Sequence, residues 1–180
     1  MTLPSQSQAW LPDADFAAVV RHAPLISIDL LVRSPDGAVL LGQRLRRPAQ
    51  GSWFVPGGRV RKGESVAAAF RRLCLDELGQ EQAFEQAIFR GVYEHHYADN
   101  VFGDDFTTHY VVLAYELVLA PVLTTLPCEQ HDAYRWWQPD ELLADASVHL
   151  HTRWYFQSDF APPGQSLAGK SQPFPQRSLP

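Results

Sequence analysis

The segment Phe54–Gln80, FVPGGRVRKGESVAAAFRRLCLDELGQ, joins a Pro-Gly-Gly turn signal to a charged amphipathic stretch. Its apolar residues recur at helical spacing, at Val66, Ala69, Phe70 and Leu73. This periodicity predicts a helix over Glu64–Leu78, which Gly79 is expected to end. The helix carries four charged residues of interest, namely Glu64, Arg72, Asp76 and Glu77. The segment therefore predicts a glycine-containing turn followed by a charged helix.

Strand-like segments flank this unit on both sides. Leu25–Arg33 and Ala38–Arg44 enclose the turn signal SPDG and predict a β-hairpin, and Trp53–Val55 predicts a short strand. The later β-like stretches are QAIFRGVYEHHY, TTHYVVLAYELVL and AYRWWQ, and the later helix candidates are PDELLA and VHLHTRWYFQ. This order predicts an α+β domain built on a layered mixed sheet.

Length and composition limit the classes of protein to which this chain can belong. The 180 residues fit one domain, which we place at residues 1–157, and the Pro-, Gly-, Ser- and Gln-rich residues 158–180 are predicted to form a flexible tail. A net charge of −5 and a pI of about 5.7 argue against a nucleic-acid surface. The sequence contains two cysteines, and it shows no export signal and no apolar run of roughly 18 residues. These features predict a cytoplasmic protein without a membrane role.

The glycine turn and the helix together suggest a site for a metal and a diphosphate. Gly57 and Gly58 permit a turn in which a backbone carbonyl faces the site, and Glu77 can aim an oxygen at the same point. Mg²⁺ prefers such hard oxygen ligands. Arg59 and Arg61 supply charge suited to a diphosphate, while Arg72 is spaced to pair with Asp76. The alternative is a surface helix whose charges form solvated pairs.

The spacing of these residues resembles the Nudix box, G-x5-E-x7-R-E-x2-E-E-x-G-U, where U is aliphatic. The matching residues are Gly58, Glu64, Arg72, Glu77 and Gly79, with Asp76 as a conservative replacement. Leu73 stands where the family has Glu, and Gln80 where it has an aliphatic residue. The resemblance implies a Nudix fold, an α/β/α sandwich with a central mixed β-sheet.

The departure at Leu73 resembles the GDP-mannose mannosyl hydrolase branch of that superfamily. PLISIDLLV, LLGQRLRRPAQGSWFVPGGRV, DDFTTHYVVL and EQHDAYRW extend the resemblance over roughly Phe16–Phe156. It implies a homodimer that hydrolyses GDP-hexoses to GDP and free sugar, with inversion, by attack of water on the anomeric carbon. It also implies one Mg²⁺ per active site, for which Mn²⁺ substitutes.

The same resemblance implies roles for individual residues. The Gly57 carbonyl, Glu77 and Gln130 would bind the metal, and His131 would be the general base. The groups implied to stabilise the departing diphosphate are Arg44, Arg59, Arg72 and the Tyr110 hydroxyl. Asp29 matches a further functional position that could orient an arginine or a sugar hydroxyl, and His95 is the histidine expected to contact substrate.

Several of these residues have plainer interpretations. The run Glu129–Asp132 alone indicates a solvated loop, Tyr110 could be an inward-facing strand aromatic, and Asp29 within an apolar strand needs a partner in any case. YEHHYADNVFGDD suggests a transition-metal site, but its spacing matches no ligand pattern, and a loop near the sugar pocket or a solvated turn is favoured.

Two other functions stay open at this point. An ordinary Nudix pyrophosphohydrolase would attack phosphorus in a nucleoside diphosphate derivative, and a non-catalytic module would only bind a nucleotide sugar. For hydrolysis of a GDP-hexose, the sugar is left open among mannose, glucose and a deoxy-sugar.

Overall fold

A computed structural model describes residues 11–119, 126–127 and 131–157. The helices are α1 (Asp13–His22), α2 (Val66–Leu78), α3 (Pro139–Ala144) and α4 (Leu150–Trp154), with a short 3-10 helix at Phe84–Gln86. The strands are β1 (Leu25–Arg33), β2 (Val39–Arg44), β3 (Trp53–Phe54), β4 (Gly57–Arg59), β5 (Ile88–Tyr97), β6 (Thr108–Val118) and β7 (His131–Trp137). Residues 158–180, for which we predict a flexible tail, lie outside the described residues.

The seven strands form one mixed sheet. Its main order is β3-β2-β1-β6-β5, with β4 paired to β1 and β7 paired to β2. β1 and β6 are parallel, and the other pairs are antiparallel. The predicted hairpin between β1 and β2 is confirmed, and Gly37 adopts the positive φ of 89° that its turn requires.

Two hydrophobic cores cover the two faces of the sheet. The first packs α2 residues such as Phe70 and Leu73 against Ile28 and Leu30 of β1. The second packs Leu142 of α3 with residues of β1, β2 and β6. The layers are therefore helix, sheet and helix, and the predicted α+β sandwich is confirmed. Within the described residues, each helix is too short or too polar to span a bilayer.

Helix α2 begins two residues later than predicted because Ser65 caps it. The Ser65 hydroxyl accepts a hydrogen bond from the Ala68 amide at 3.1 Å, and Gly79 ends the helix in the left-handed conformation at φ 71°. Glu64 therefore lies in the preceding turn, where its carboxylate also accepts a hydrogen bond from the Arg61 amide at 2.9 Å.

The prediction of a tight turn at the Pro-Gly-Gly sequence is wrong. Gly57–Arg59 is an extended strand that pairs with Ser27–Asp29 of β1. A Cβ at Gly57 would lie 2.4 Å from the Ile28 carbonyl oxygen, and one at Gly58 would lie 2.7 Å from Leu73 Cδ2. Glycine is therefore needed here for close approach between neighbouring elements.

Other element boundaries also differ from the predictions. The strand predicted at Trp53–Val55 ends at Phe54, and the last predicted helix is reduced to Leu150–Trp154. Helix α1 was not predicted at all. It packs on the rest of the chain through Phe16, whose ring lies 3.9 Å from the Arg59 guanidinium carbon.

Leu73 is a core residue, and its removal should destabilise the fold. The side chain is 2% exposed and belongs to the core cluster beneath α2. We expect Leu73→Ala to lower the free energy of unfolding by about 2–5 kcal/mol in urea denaturation, because it leaves a cavity.

Leu75 provides a matched control on the same helix. It is 46% exposed, so Leu75→Ala should change the free energy of unfolding by only about 0.5 kcal/mol. Equal losses in the two variants would contradict the assignment of Leu73 to the core.

Candidate active site

Strands β1 and β4 place Asp29 beside Gly57. The two residues are partners in the β1–β4 register, and Asp29 Oδ1 lies 3.0 Å from the position of a Cβ at Gly57. Burial raises the pKa of Asp29 to about 7, although the Tyr155 hydrogen bond and the Arg44 charge oppose the shift. The apolar strand thus carries a paired carboxyl group, as predicted for Asp29.

Arg72 holds the β4–α2 connection together. Its Nε and Nη2 donate to the two oxygens of Glu64 at 2.7 and 2.9 Å, and Nη2 also donates to the Arg59 carbonyl at 2.9 Å. Nη1 donates to Asp76 at 3.3 Å, which confirms the predicted pairing of Arg72 with Asp76. Arg72 therefore orders the segment that carries Arg59, and its own donors are largely occupied.

His131 and Glu77 meet in a buried polar cluster, each with 2% exposure. Nδ1 of His131 lies 3.5 Å from Glu77 Oε2 and 3.0 Å from the Tyr134 hydroxyl. The Tyr134 hydroxyl donates to the Pro127 carbonyl at 3.0 Å, so its oxygen is able to accept the Nδ1 proton of His131. This arrangement places the imidazole lone pair on Nε2.

The other ring nitrogen of His131 faces a different environment. Nε2 is buried and has no hydrogen-bond partner among the described residues. Burial and the charge of Arg44 lower the pKa of His131 to about 4, so the ring is neutral near pH 7. Gly42 makes room for the ring, because a Cβ there would lie 2.4 Å from His131 Cδ2.

Two arginines and Tyr110 converge on the same region. Arg44 is the register partner of His131, and Arg59 lies on β4 two residues from Gly57. Burial raises the pKa of Tyr110, while the charges of Arg44 and Arg59 oppose the shift. Both cations therefore interact electrostatically with Tyr110.

His95 is buried among aromatic and histidine rings. It is 2% exposed and stacks on His151, with ring centroids 4.2 Å apart at 14°. Phe54 and Trp154 pack against other sides of the ring. Burial, with smaller effects of nearby histidines, lowers the pKa of His95 to about 2.

An open cavity of about 470 Å³ adjoins this cluster. It is bordered by the segment after β2, the end of β5 and the start of α4, with lining residues that include Arg47, Gln50, Tyr97, Asp99 and His149. Tyr97 interacts electrostatically with both Asp29 and Arg44. Tyr97 therefore borders the cavity and interacts with two of the predicted site residues.

The region of β4 and α2 carries two oxygen donors of the kind that a hard divalent cation accepts, the Gly57 carbonyl and the Glu77 carboxylate. Leu73 contacts the Gly58 position, and Glu77 follows one turn later on the same face of α2. A buried carboxylate and a backbone carbonyl are ligands that Mg²⁺ accepts. Across the described chain, no group of three or more His, Cys, Asp or Glu side chains is arranged to hold a metal. Gln130 lies outside the described residues.

Sequence reasoning missed several residues that shape the site. Tyr134 orders His131, Phe16 stacks on Arg59, and Tyr155 hydrogen-bonds Asp29. The stretch that contains His149, His151 and Tyr155 was predicted only as a helix. Its density of histidine and aromatic residues was the signal that could have connected it to the site.

Comparison with known sequences places the chain in a family. Residues 23–157 match the NUDIX domain. The Low-salt glycan biosynthesis protein Agl8 of Haloferax volcanii is 42% identical over 110 residues, which cover 61% of this chain and 68% of that protein.

Solved structures agree in fold. A MutT protein from Methanosarcina mazei Go1 aligns with a TM-score of 0.59 at 22% identity, covering 75% of this chain and 92% of the other. A MutT NUDIX hydrolase from Burkholderia pseudomallei aligns with a TM-score of 0.57 at 26% identity, covering 75% and 97%. The chain therefore belongs to the NUDIX domain family and is a Nudix hydrolase.

Proposed function

We propose that this Nudix hydrolase converts GDP-hexoses, GDP-mannose among them, to GDP and free sugar by attack of water on the anomeric carbon. The observation that carries the proposal is the pairing of one buried carboxylate, Glu77, with a neutral histidine whose Nε2 has no partner among the described residues. The relationship to a protein named for glycan biosynthesis supports a nucleotide-sugar substrate.

The acidic residues of the α2 region favour a site with few metal ligands. Glu64 and Asp76 hydrogen-bond Arg72, and the side chain at position 73 is an apolar core residue. Nudix hydrolases generally use a divalent cation. We propose Mg²⁺, held by the Gly57 carbonyl, Glu77 and Gln130, where it would neutralise charge on the diphosphate.

His131 is the proposed general base. Its Nδ1 is directed to Tyr134 and Glu77, so the lone pair on Nε2 is the one that accepts a proton from water. The carboxylate of Glu77, 3.5 Å from Nδ1, would stabilise the imidazolium that results. Gly42 supports this role because it leaves space for the imidazole ring.

Cleavage of the anomeric C–O bond leaves negative charge on GDP. Arg44, Arg59 and the Tyr110 hydroxyl are the groups that would stabilise this charge. The guanidinium of Arg59 is held against the Phe16 ring, and Arg72 fixes the Arg59 backbone through its carbonyl. We therefore assign Arg72 to positioning.

The products distinguish this reaction from ordinary Nudix chemistry. With GDP-mannose and Mg²⁺, we expect phosphorus NMR to show GDP as the nucleotide product, without GMP or hexose 1-phosphate. Chelation of the cation should abolish turnover, and added Mg²⁺ should restore it. Formation of GMP and hexose phosphate would instead indicate attack at phosphorus, and binding without turnover would indicate a non-catalytic module.

Substitution of His131 tests the general base. We expect His131→Ala to lower kcat by about 10²- to 10⁴-fold while leaving GDP affinity nearly unchanged, because the base acts mainly in the transition state. Steady-state kinetics and calorimetric titration with GDP measure the two effects.

His22→Ala is the matched control, because His22 is exposed at the end of α1. It should leave both kcat and GDP affinity unchanged. If His131→Ala retains the kcat of His22→Ala, His131 is not the base.

A further inference from the structure

Tyr155 links two distant strands of the site through one hydroxyl group. It follows α4, and its hydroxyl donates to Asp29 Oδ2 on β1 at 2.7 Å. The same oxygen lies 3.1 Å from Nε2 of His95 on β5. These contacts span 126 and 60 residues of sequence, so only the folded chain brings the three groups together.

The donors and acceptors of the hydrogen-bonded groups Asp29, Tyr155 and His95 determine where the protons lie. The Tyr155 hydroxyl donates to Asp29 Oδ2, so the phenol proton points to Asp29 when this carboxyl group is ionised and has no proton to donate. The phenol oxygen must then accept a hydrogen bond, and Nε2–H of His95 is the donor within reach. His95 is thereby held as the Nε2–H tautomer, and its burial against the His151 ring keeps it neutral.

The hydrogen bond from Tyr155 also orients the carboxyl group of Asp29. Tyr155 occupies Oδ2, whereas Oδ1 lies on the side of Gly57, whose carbonyl is a proposed metal ligand. Tyr155 is itself held by Tyr93, with ring centroids 4.6 Å apart in an edge-to-face contact. A phenol fixed in this way restricts rotation of the carboxylate.

We propose that Tyr155 is a positioning residue of this active site, which directs Asp29 Oδ1 toward the Gly57 side and holds His95 as the Nε2–H tautomer. His95 then acts on Asp29 through Tyr155 and does not contact the sugar. The catalytic consequence rests on the proposed function, but the hydrogen-bond chain can be tested without turnover.

The test uses the 180-residue protein labelled with ¹⁵N-histidine. At alkaline pH, long-range ¹H–¹⁵N spectra should show the pattern of an Nε2–H tautomer for His95, identified by its loss in His95→Asn. In Tyr155→Phe, the His95 nitrogen resonances should shift, because the hydrogen-bond partner is gone. In the same variant, kcat/KM for GDP-mannose should fall by about 10- to 100-fold, as expected for loss of a hydrogen bond to a charged group.

Tyr115→Phe is the matched control. Tyr115 packs among aromatic rings in the other core, against Phe70 and Phe84. Its substitution should change neither the His95 spectrum nor kcat/KM.

Each outcome decides between alternatives. An Nδ1–H pattern in the wild-type protein overturns the proposal even if Tyr155→Phe fails to fold, and so does an unchanged His95 spectrum in a folded Tyr155→Phe protein. If the spectra behave as expected but kcat/KM is unchanged, the positioning role is overturned. If the wild-type protein shows the Nε2–H pattern but releases no GDP from GDP-mannose, the hydrogen-bond chain is supported and the proposed substrate fails.

Discussion

The hydrogen bonds between Arg72 and Glu64 are the interaction on which the rest of the site depends. Burial opposes ionisation of Glu64, but the hydrogen bonds from Arg72 and the Arg61 amide outweigh it, and the pKa of Glu64 falls below its usual value. The paired groups are largely shielded, with side-chain exposures of 13% for Glu64 and 19% for Arg72. Because Arg72 also holds the Arg59 carbonyl, the pair fixes β4 against α2. Loss of one partner would leave a partly buried charge without compensation.

Close packing between β4 and α2 adds the second constraint. Gly57 and Gly58 have no room for side chains, since β1 and Leu73 occupy the adjacent space. Leu73 therefore packs in the hydrophobic core, at a position where the family pattern has a carboxylate. The same substitution removes a negative charge next to Glu77. The apolar side chain at position 73 therefore packs in the core and offers no oxygen ligand, which supports the proposed one-metal chemistry.

Local patterns predicted the parts of the fold whose physics is local. The spacing of apolar residues defined α2, and SPDG defined the hairpin because its glycine must adopt positive φ. The β4 strand was missed because two glycines in sequence indicate a turn, whereas here pairing with β1 selects an extended backbone. Helix α1 was missed as well, and Phe16 acquires its role only through contact with Arg59. The histidine and aromatic residues around Tyr155 mark its stretch in the sequence, but its partners Asp29 and His95 are joined to it only by the fold.

Attack of water on carbon and attack on phosphorus place the water oxygen in different products, so an oxygen label distinguishes the two reactions. The enzyme and Mg²⁺ are incubated with an α-linked GDP-hexose in ¹⁸O-water, and early products are analysed by mass spectrometry and proton NMR. We expect ¹⁸O in the free sugar, which is released first as the β-anomer, and none in GDP. Appearance of ¹⁸O in a phosphate group, with the α configuration retained, would contradict attack on carbon.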